Sequence, residues 1–271
     1  MNVYEIITEK LIKDLEKGNV PWHQPWFTGN QIVSRSTGKG YSILNQMLIG
    51  EVGEYATFNQ IQKEGGKVNK GAKGKTVVFW QMLKKEKDGE ETTIPMLRYY
   101  KVFNIGDTDL EPKYWKEPTG DGGELAEAES IMQGYLKKEN IVFTENGSQA
   151  YYDPKHDSIT MPDRKAFDGL EEFYGVAFHE MVHSTGAEKR LDREIAKKYF
   201  ANRESRSKEE LVAEIGSAYL MGNAGIDTEK TFKNSVGYIQ SWLQVLKNDS
   251  KMIISASSLA EKSVNYIHGV E

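Results

Sequence analysis

The chain contains no cysteine, which excludes disulfides, thiol nucleophiles and thiolate metal sites together and makes a cytosolic (cytoplasmic) protein the natural expectation. No stretch approaches the run of about 18 apolar residues that a membrane-spanning helix needs, so no membrane partner is expected. The start, "MNVYEIITEKLIKDLEKGNV", lacks the basic region, apolar stretch and cleavage site of a signal peptide. No internal repeat or low-complexity tract is visible. Charge of one sign is not dominant either, but the net −5 hides an asymmetry. Residues 1–117 carry 17 basic and 15 acidic side chains, whereas 118–271 carry 18 and 25. A mildly basic front and an acidic rear suggest two modules with different partners.

With 38% hydrophobic and 28% charged residues in 271, the composition is that of a soluble globular protein of one large or two modest domains. The clearest break is "EPKYWKEPTGDGGE", residues 111–124, whose prolines, glycines and acids read as a linker. The expected division is 1–112, a linker at 113–124, and 125–271. In front, Tyr4, Ile7, Leu11 and Leu15 recur at helical spacing up to Gly18, and "KTVVFWQML" and "MLRYYKVFNI" form a hairpin about "KDGEE". Behind, "AEAESIMQGYLKKEN" is helical, "QAYYDPKHDSITMP" reads as two short strands, and helices follow near 168–186, 207–222, 231–247 and 257–267. Both modules are therefore expected to be α+β.

Only five histidines are present, and two fall in "FHEMVHSTG", residues 178–186. On a helix, His179 and His183 lie one above the other and can converge on one ion, with Glu180 beside them as general base. Asp168 and Glu171 suggest a capping box and Gly186 a stop, around an apolar stripe of Leu170, Phe173, Tyr174, Ala177, Phe178 and Met181. The alternative is a structural helix with two packed or solvated histidines. A catalytic zinc site needs a third protein ligand and an open position. The HExxHxxGxxH route fails at Lys189. "SKEELVAEIGSAYLMG", residues 207–222, offers Glu210 and Glu214. Glu210 could instead cap its helix with Ser207. Glu214 sits among Leu211, Ala218 and Met221, where an unpaired carboxylate is costly. A solvated surface position suits Glu209. The favoured arrangement is Glu210 as ligand and Glu214 behind a histidine, with the converse open. Zinc is the expected ion, although manganese, cobalt and nickel accept the same donors. His156 is expected to be solvated in its turn, and the strand beside it could bind an extended peptide by its edge.

These segments, "HEMVHSTGAEKRLDR" and "EELVAEIGSAYL", resemble the ArdC-type antirestriction proteins of plasmids and mobile elements. That family joins a single-stranded-DNA-binding domain to a zincin-like metallopeptidase domain. The resemblance implies a gluzincin-like zinc metallopeptidase in which Glu180 takes a proton from the attacking water and delivers it to the leaving amine. One position departs. Where the family implies an aromatic residue just ahead of the second helix, this chain reads Arg206-Ser207-Lys208, leaving Tyr199 and Arg190 as substitutes.

In the front module, residues 63–75 hold five lysines and four glycines against one glutamate, a composition that can approach phosphates. Trp22, Trp26, Phe27, Tyr41, Phe58, Phe79 and Trp80 lie nearby in sequence, and aromatic platforms in a basic groove bind single strands. Composition alone fits a solvated loop and core tryptophans equally. "PWHQPW", "TGKGYSILN" and "YATFNQIQKEGGKVNKGAKG" resemble the family's N-terminal domain. That resemblance implies Arg35, Lys39, Lys67, Lys70 and Lys73 as phosphate contacts, Trp22, Trp26 and Tyr41 as stacking residues, and protection of incoming mobile-element DNA from host restriction. The rival readings are a DNA-binding shield with a structural or vestigial metal site, and a peptidase, its protein substrate unnamed, with no nucleic-acid role.

Overall fold

Asn2 opens the first helix, α1 (Val3–Glu16), with a full capping box to Glu5, and Gly18 leaves it at a φ of +81° that favours glycine. This computed structural model describes residues 2–23, 31–87, 90–116, 124–228 and 236–270. Trp26, Phe27 and much of the expected linker lie outside them.

The front sheet has the order β1 (Ile32–Ser34), β2 (Gly53–Thr57), β4 (Glu90–Asn104), β3 (Lys75–Lys87). β1 runs parallel to β2 through the crossover helix α2 (Ile43–Ile49), and α3 (Phe58–Lys63) follows β2. The expected hairpin is present and long, in register from Lys75↔Val102 to Lys87↔Glu90. Its pleat serves two cores: Val77 and Val102 join a small cluster with Ile32, Tyr41, Ile49 and Tyr55, while Val78 and Leu97 turn into the main one.

The rear half begins with α4 (Glu124–Glu139) and a three-stranded sheet ordered β5 (Val142–Thr144), β7 (Ser158–Thr160), β6 (Tyr151–Asp153), which leaves β6 at an edge. Helices α5 (Leu170–Ser184), α6 (Glu194–Lys197), α7 (Arg203–Asn223), α8 (Val236–Asn248) and α9 (Met252–His268) follow. The architecture is α+β in two modules, as expected. None of the described helices is long and apolar enough to cross a membrane.

Two features qualify the expected linker. The carboxylate Oε2 of buried Glu54 accepts the backbone N–H groups of Lys113, Tyr114 and Trp115 at 2.9, 2.6 and 3.2 Å, so the chain leaving the front sheet is tied to it. In addition, one hydrophobic cluster runs through both halves, from Leu11, Leu15 and Trp22 to Phe178, Trp242 and Val264.

Candidate metal centre

The site is built where α5 crosses α7. Gly216 of α7 lets the helices approach: a Cβ placed there would lie 2.9 Å from Cγ2 of Val182. On α5, the imidazoles of His179 and His183 have centroids 4.7 Å apart and their Nε2 atoms face each other at 3.1 Å. Oε2 of Glu210 lies 3.3 Å from Nε2 of His179 and 3.9 Å from Nε2 of His183. Donor atoms 2.0–2.1 Å from a tetrahedral zinc stand about 3.3 Å apart; two edges of this triangle match that spacing, and the third, 3.9 Å between Glu210 and His183, would close by a small shift of the Glu210 carboxylate. Among the described residues it is the one group of three or more ligating side chains that converges in this way.

Each histidine is backed by a carboxylate on its far side. Nδ1 of His179 lies 3.6 Å from Oε2 of Glu214, and Nδ1 of His183 lies 3.3 Å from Oε1 of Glu209. A proton held at each Nδ1 leaves the Nε2 lone pairs for a metal. Burial works against charging His179, but Glu210 and Glu214 outweigh it and raise its pKa well above the ordinary value. Burial likewise opposes His183, and Glu209 and Glu210 raise it. Burial alone would raise Glu214, yet His179 and His23 bring it down to about 2.

Glu209 corrects the sequence reading. Instead of a solvated position it is 1% exposed, because it sits on the α7 stripe of Val212, Ala213 and Gly216 that packs toward α5. Its partner is Arg193, whose Nε donates to Oε2 at 3.1 Å and whose Nη2 donates to Oε1. Arg193 also donates to the carbonyl of Val182 at 2.8 Å and to Ser263 at 2.9 Å, tying the α5 C-terminus to α7 and α9.

Three local expectations also change. α7 starts at Arg203, capped by Asn202, so Ser207 and Glu210 lie inside the helix and Glu210 is released from capping. Gly169, extended, is the N-cap of α5 and no side chain caps it; this displaces Asp168 one residue outward, and its N–H instead donates to Glu172 at 2.9 Å. Gly186 serves close packing and not a left-handed stop, since a Cβ there would meet Ala196 at 2.8 Å and Arg193 at 2.9 Å.

The early start of α7 also places Tyr199 just ahead of it. The phenol donates to Oε1 of Glu210, its ring lies 5.8 Å from that of His183, and the Arg206 guanidinium covers it at 5.3 Å. Burial, with Glu210 beside it, pushes the phenol up to about 12, so it remains a donor. Arg190 is committed elsewhere, to Asp157 at 2.8 Å and Glu139 at 2.9 Å. Oε2 of Glu180 accepts the backbone N–H of Tyr152, on the edge strand β6, at 2.8 Å. His156 is exposed in its turn against Asp153.

The front-module candidates divide. Arg35 is buried, bound to Glu54 at 2.6 Å and Glu64 at 2.8 Å, and so has no face for a phosphate. Trp22 is fully buried against Trp242, with centroids 5.2 Å apart, and Tyr41 is largely covered; neither presents a free ring. Lys39, Lys67, Lys70 and Lys73 are exposed. Phe79, one of the aromatic residues noted near the lysine loop, is joined on the β3–β4 hairpin by Tyr100, which the sequence did not single out; they are 46% and 41% exposed with rings 6.1 Å apart. Arg98 is the cross-strand partner of Phe79.

Residues 1–103 match the N-terminal domain of anti-restriction factor ArdC, and residues 127–259 match a zincin-like metallopeptidase family. The metal-free crystal structure of the antirestriction ArdC protein from plasmid R388 is 30% identical and superposes with a TM-score of 0.80, covering 100% of both chains. The Mn(II)-bound structure of that protein gives 0.78, over 99% of this chain and 98% of the other. The DNA primase TraC of Escherichia coli is 30% identical over 99% of this chain, which spans only 20% of the primase. An uncharacterized protein, y4eC, of Sinorhizobium fredii is 28% identical over 98% of this chain and 92% of its own length.

Proposed function

The chain belongs to the ArdC antirestriction family, and from that premise we propose that it is a single-stranded-DNA-binding protein with a zinc metallopeptidase centre, protecting incoming mobile-element DNA in the cytoplasm. The observation that carries the metal reading is the triangle of His179, His183 and Glu210, with Glu214 and Glu209 behind the two histidines. Zinc is the natural ion for this N/O donor set; manganese is the alternative suggested by the Mn(II)-bound relative.

A bound divalent metal would supply Lewis acidity, activating water and polarising a carbonyl. Glu180 is the base that accepts the proton and returns it to the leaving amine. The Tyr152 amide orients Glu180 from the edge strand, the strand along which an extended peptide would lie. Tyr199, kept protonated, gives its one O–H to Oε1 of Glu210 and so fixes the carboxylate that would ligate the ion.

Support for DNA binding comes from the hairpin and the loop preceding it. Within residues 75–83 and 94–104 there are three basic side chains, Lys75, Arg98 and Lys101, and no acidic one. Exposed rings in a basic setting suit single strands. Lys67, Lys70 and Lys73 extend the positive surface toward phosphates.

Metal content of untagged protein, measured by mass spectrometry, tests the centre. About one zinc per chain is expected in wild type, with loss in Glu210→Ala and retention in Glu180→Ala. A restriction-protection assay on Glu180→Ala then separates peptidase from shield: protection that survives with metal bound would rule catalysis out of the protective role.

A further inference from the structure

We infer that His23, supplied by the front module, is a positioning residue of the metal centre, holding Glu214 behind His179 so that Glu210 alone faces the ion. The inference rests on the metal reading above. Nε2 of His23 donates to Oε1 of Glu214 at 2.7 Å across 191 positions of sequence. The other oxygen of the same carboxylate, Oε2, faces Nδ1 of His179. His23, Glu214 and His179 thus form a chain that ends at a metal-facing nitrogen, and its far end belongs to the other module.

The segment that carries His23 is held rigidly. Val20 and Trp22 are buried in the main core, Trp22 packs edge-on against Trp242 of α8, and the His23 amide closes a turn onto the Val20 carbonyl at 3.0 Å. The imidazole and Glu214 are both largely covered, at 11% and 20% side-chain exposure, so water competes weakly for their contact. Glu210 and Glu214 are one helical turn apart on the same face of α7, and both reach His179. A restraint on Glu214 is therefore what distinguishes the ligand from its supporting carboxylate. Outer partners of this kind orient metal-ligating histidines and tune their affinity. By linkage, metal occupancy and docking of the 19–23 segment reinforce each other.

The test uses the full-length protein and zinc competition against a chromophoric chelator. Wild type, His23→Ala, His23→Gln, Glu214→Ala and the double variant His23→Ala/Glu214→Ala are compared, each first shown to be folded by thermal melting in chelator. His23→Ala is expected to weaken zinc binding about 10-fold, toward the low end for outer-shell partners. His23→Gln, whose amide can donate from the same place, should recover most of the loss. In the Glu214→Ala background the His23 substitution should have no further effect. Unchanged affinity in His23→Ala, or an undiminished loss in the double variant, would overturn the inference while leaving the metal centre standing. Wild type that binds no zinc would overturn the metal reading, and this inference with it.

Discussion

Arg193 and Glu209 form a two-pronged ion pair with both side chains 1% exposed, and through Glu209 that pair reaches Nδ1 of His183. Removing one member of a buried pair strands the other, at about 3–5 kcal/mol. Arg193→Ala should therefore lower stability by that order in urea denaturation with chelator present. Glu209→Gln, which keeps an acceptor but loses the charge behind His183, should retain the fold and weaken zinc roughly 10-fold. A Glu209→Gln variant with wild-type zinc affinity would show that the contact is structural only.

Gly216 controls the metal triangle from a distance. Its Cβ-less surface admits Val182, so Gly216→Val forces α5 and α7 apart. Overpacking of this kind costs about 1–3 kcal/mol, seen as a lower melting temperature. The larger consequence should be loss of stoichiometric zinc, since Glu210 rides on the displaced helix.

The exposed rings and the loop lysines should fail differently in oligonucleotide binding. Phe79→Ala and Tyr100→Ala are each expected to cost about 1–3 kcal/mol on oligo(dT) and nothing on an abasic strand of equal length. Lys67→Ala, Lys70→Ala and Lys73→Ala should lower the salt slope by about 0.7 per lost phosphate contact, on either strand. Arg35→Ala should instead lower the melting temperature, because it leaves buried Glu54 without its cation.

Acid should weaken the front module through Glu64. Hydrogen bonds from Arg35 and Lys113 hold its pKa at about 2, against an ordinary 4.5. A folded-state pKa below the unfolded value means stability that is fully present above the unfolded value and is lost as pH falls from there through about 2. Melting temperatures measured across that window should fall less steeply in Glu64→Gln than in wild type.

What was legible from sequence follows from periodicity. The stripe on α5, the spacing of His179 and His183, and the discomfort of Glu214 among apolar neighbours all lie within one or two helical turns. The elements of the front sheet that went unread have no alternation to read: every residue of α2 is buried, as are four of the five in β2. Glu209 was misread because its compensating cation lies 16 residues away beyond a turn, although its spacing to Val212, Ala213 and Gly216 marked the buried face. Arg35 was misread for the converse reason, since the acids that claim it come from β2 and the end of α3. The sequence places the start of α7 too late, at Ser207, which leaves Tyr199 as one of two substitutes with Arg190, although the helix begins at Arg203 shortly after it. Nothing local marks His23, whose partner becomes a neighbour only through the tertiary fold.

The hydrophobic cluster shared by the two halves bears on how such a protein can be inherited. Dividing the chain after the front sheet would bare Leu11, Leu15 and Trp22 on one piece and the Trp242 side of α8 on the other. Neither piece is a portable part with a finished surface. The front half and the half that holds the histidine pair are therefore expected to be kept together, and a lesion in either to be felt in the solubility and turnover of both.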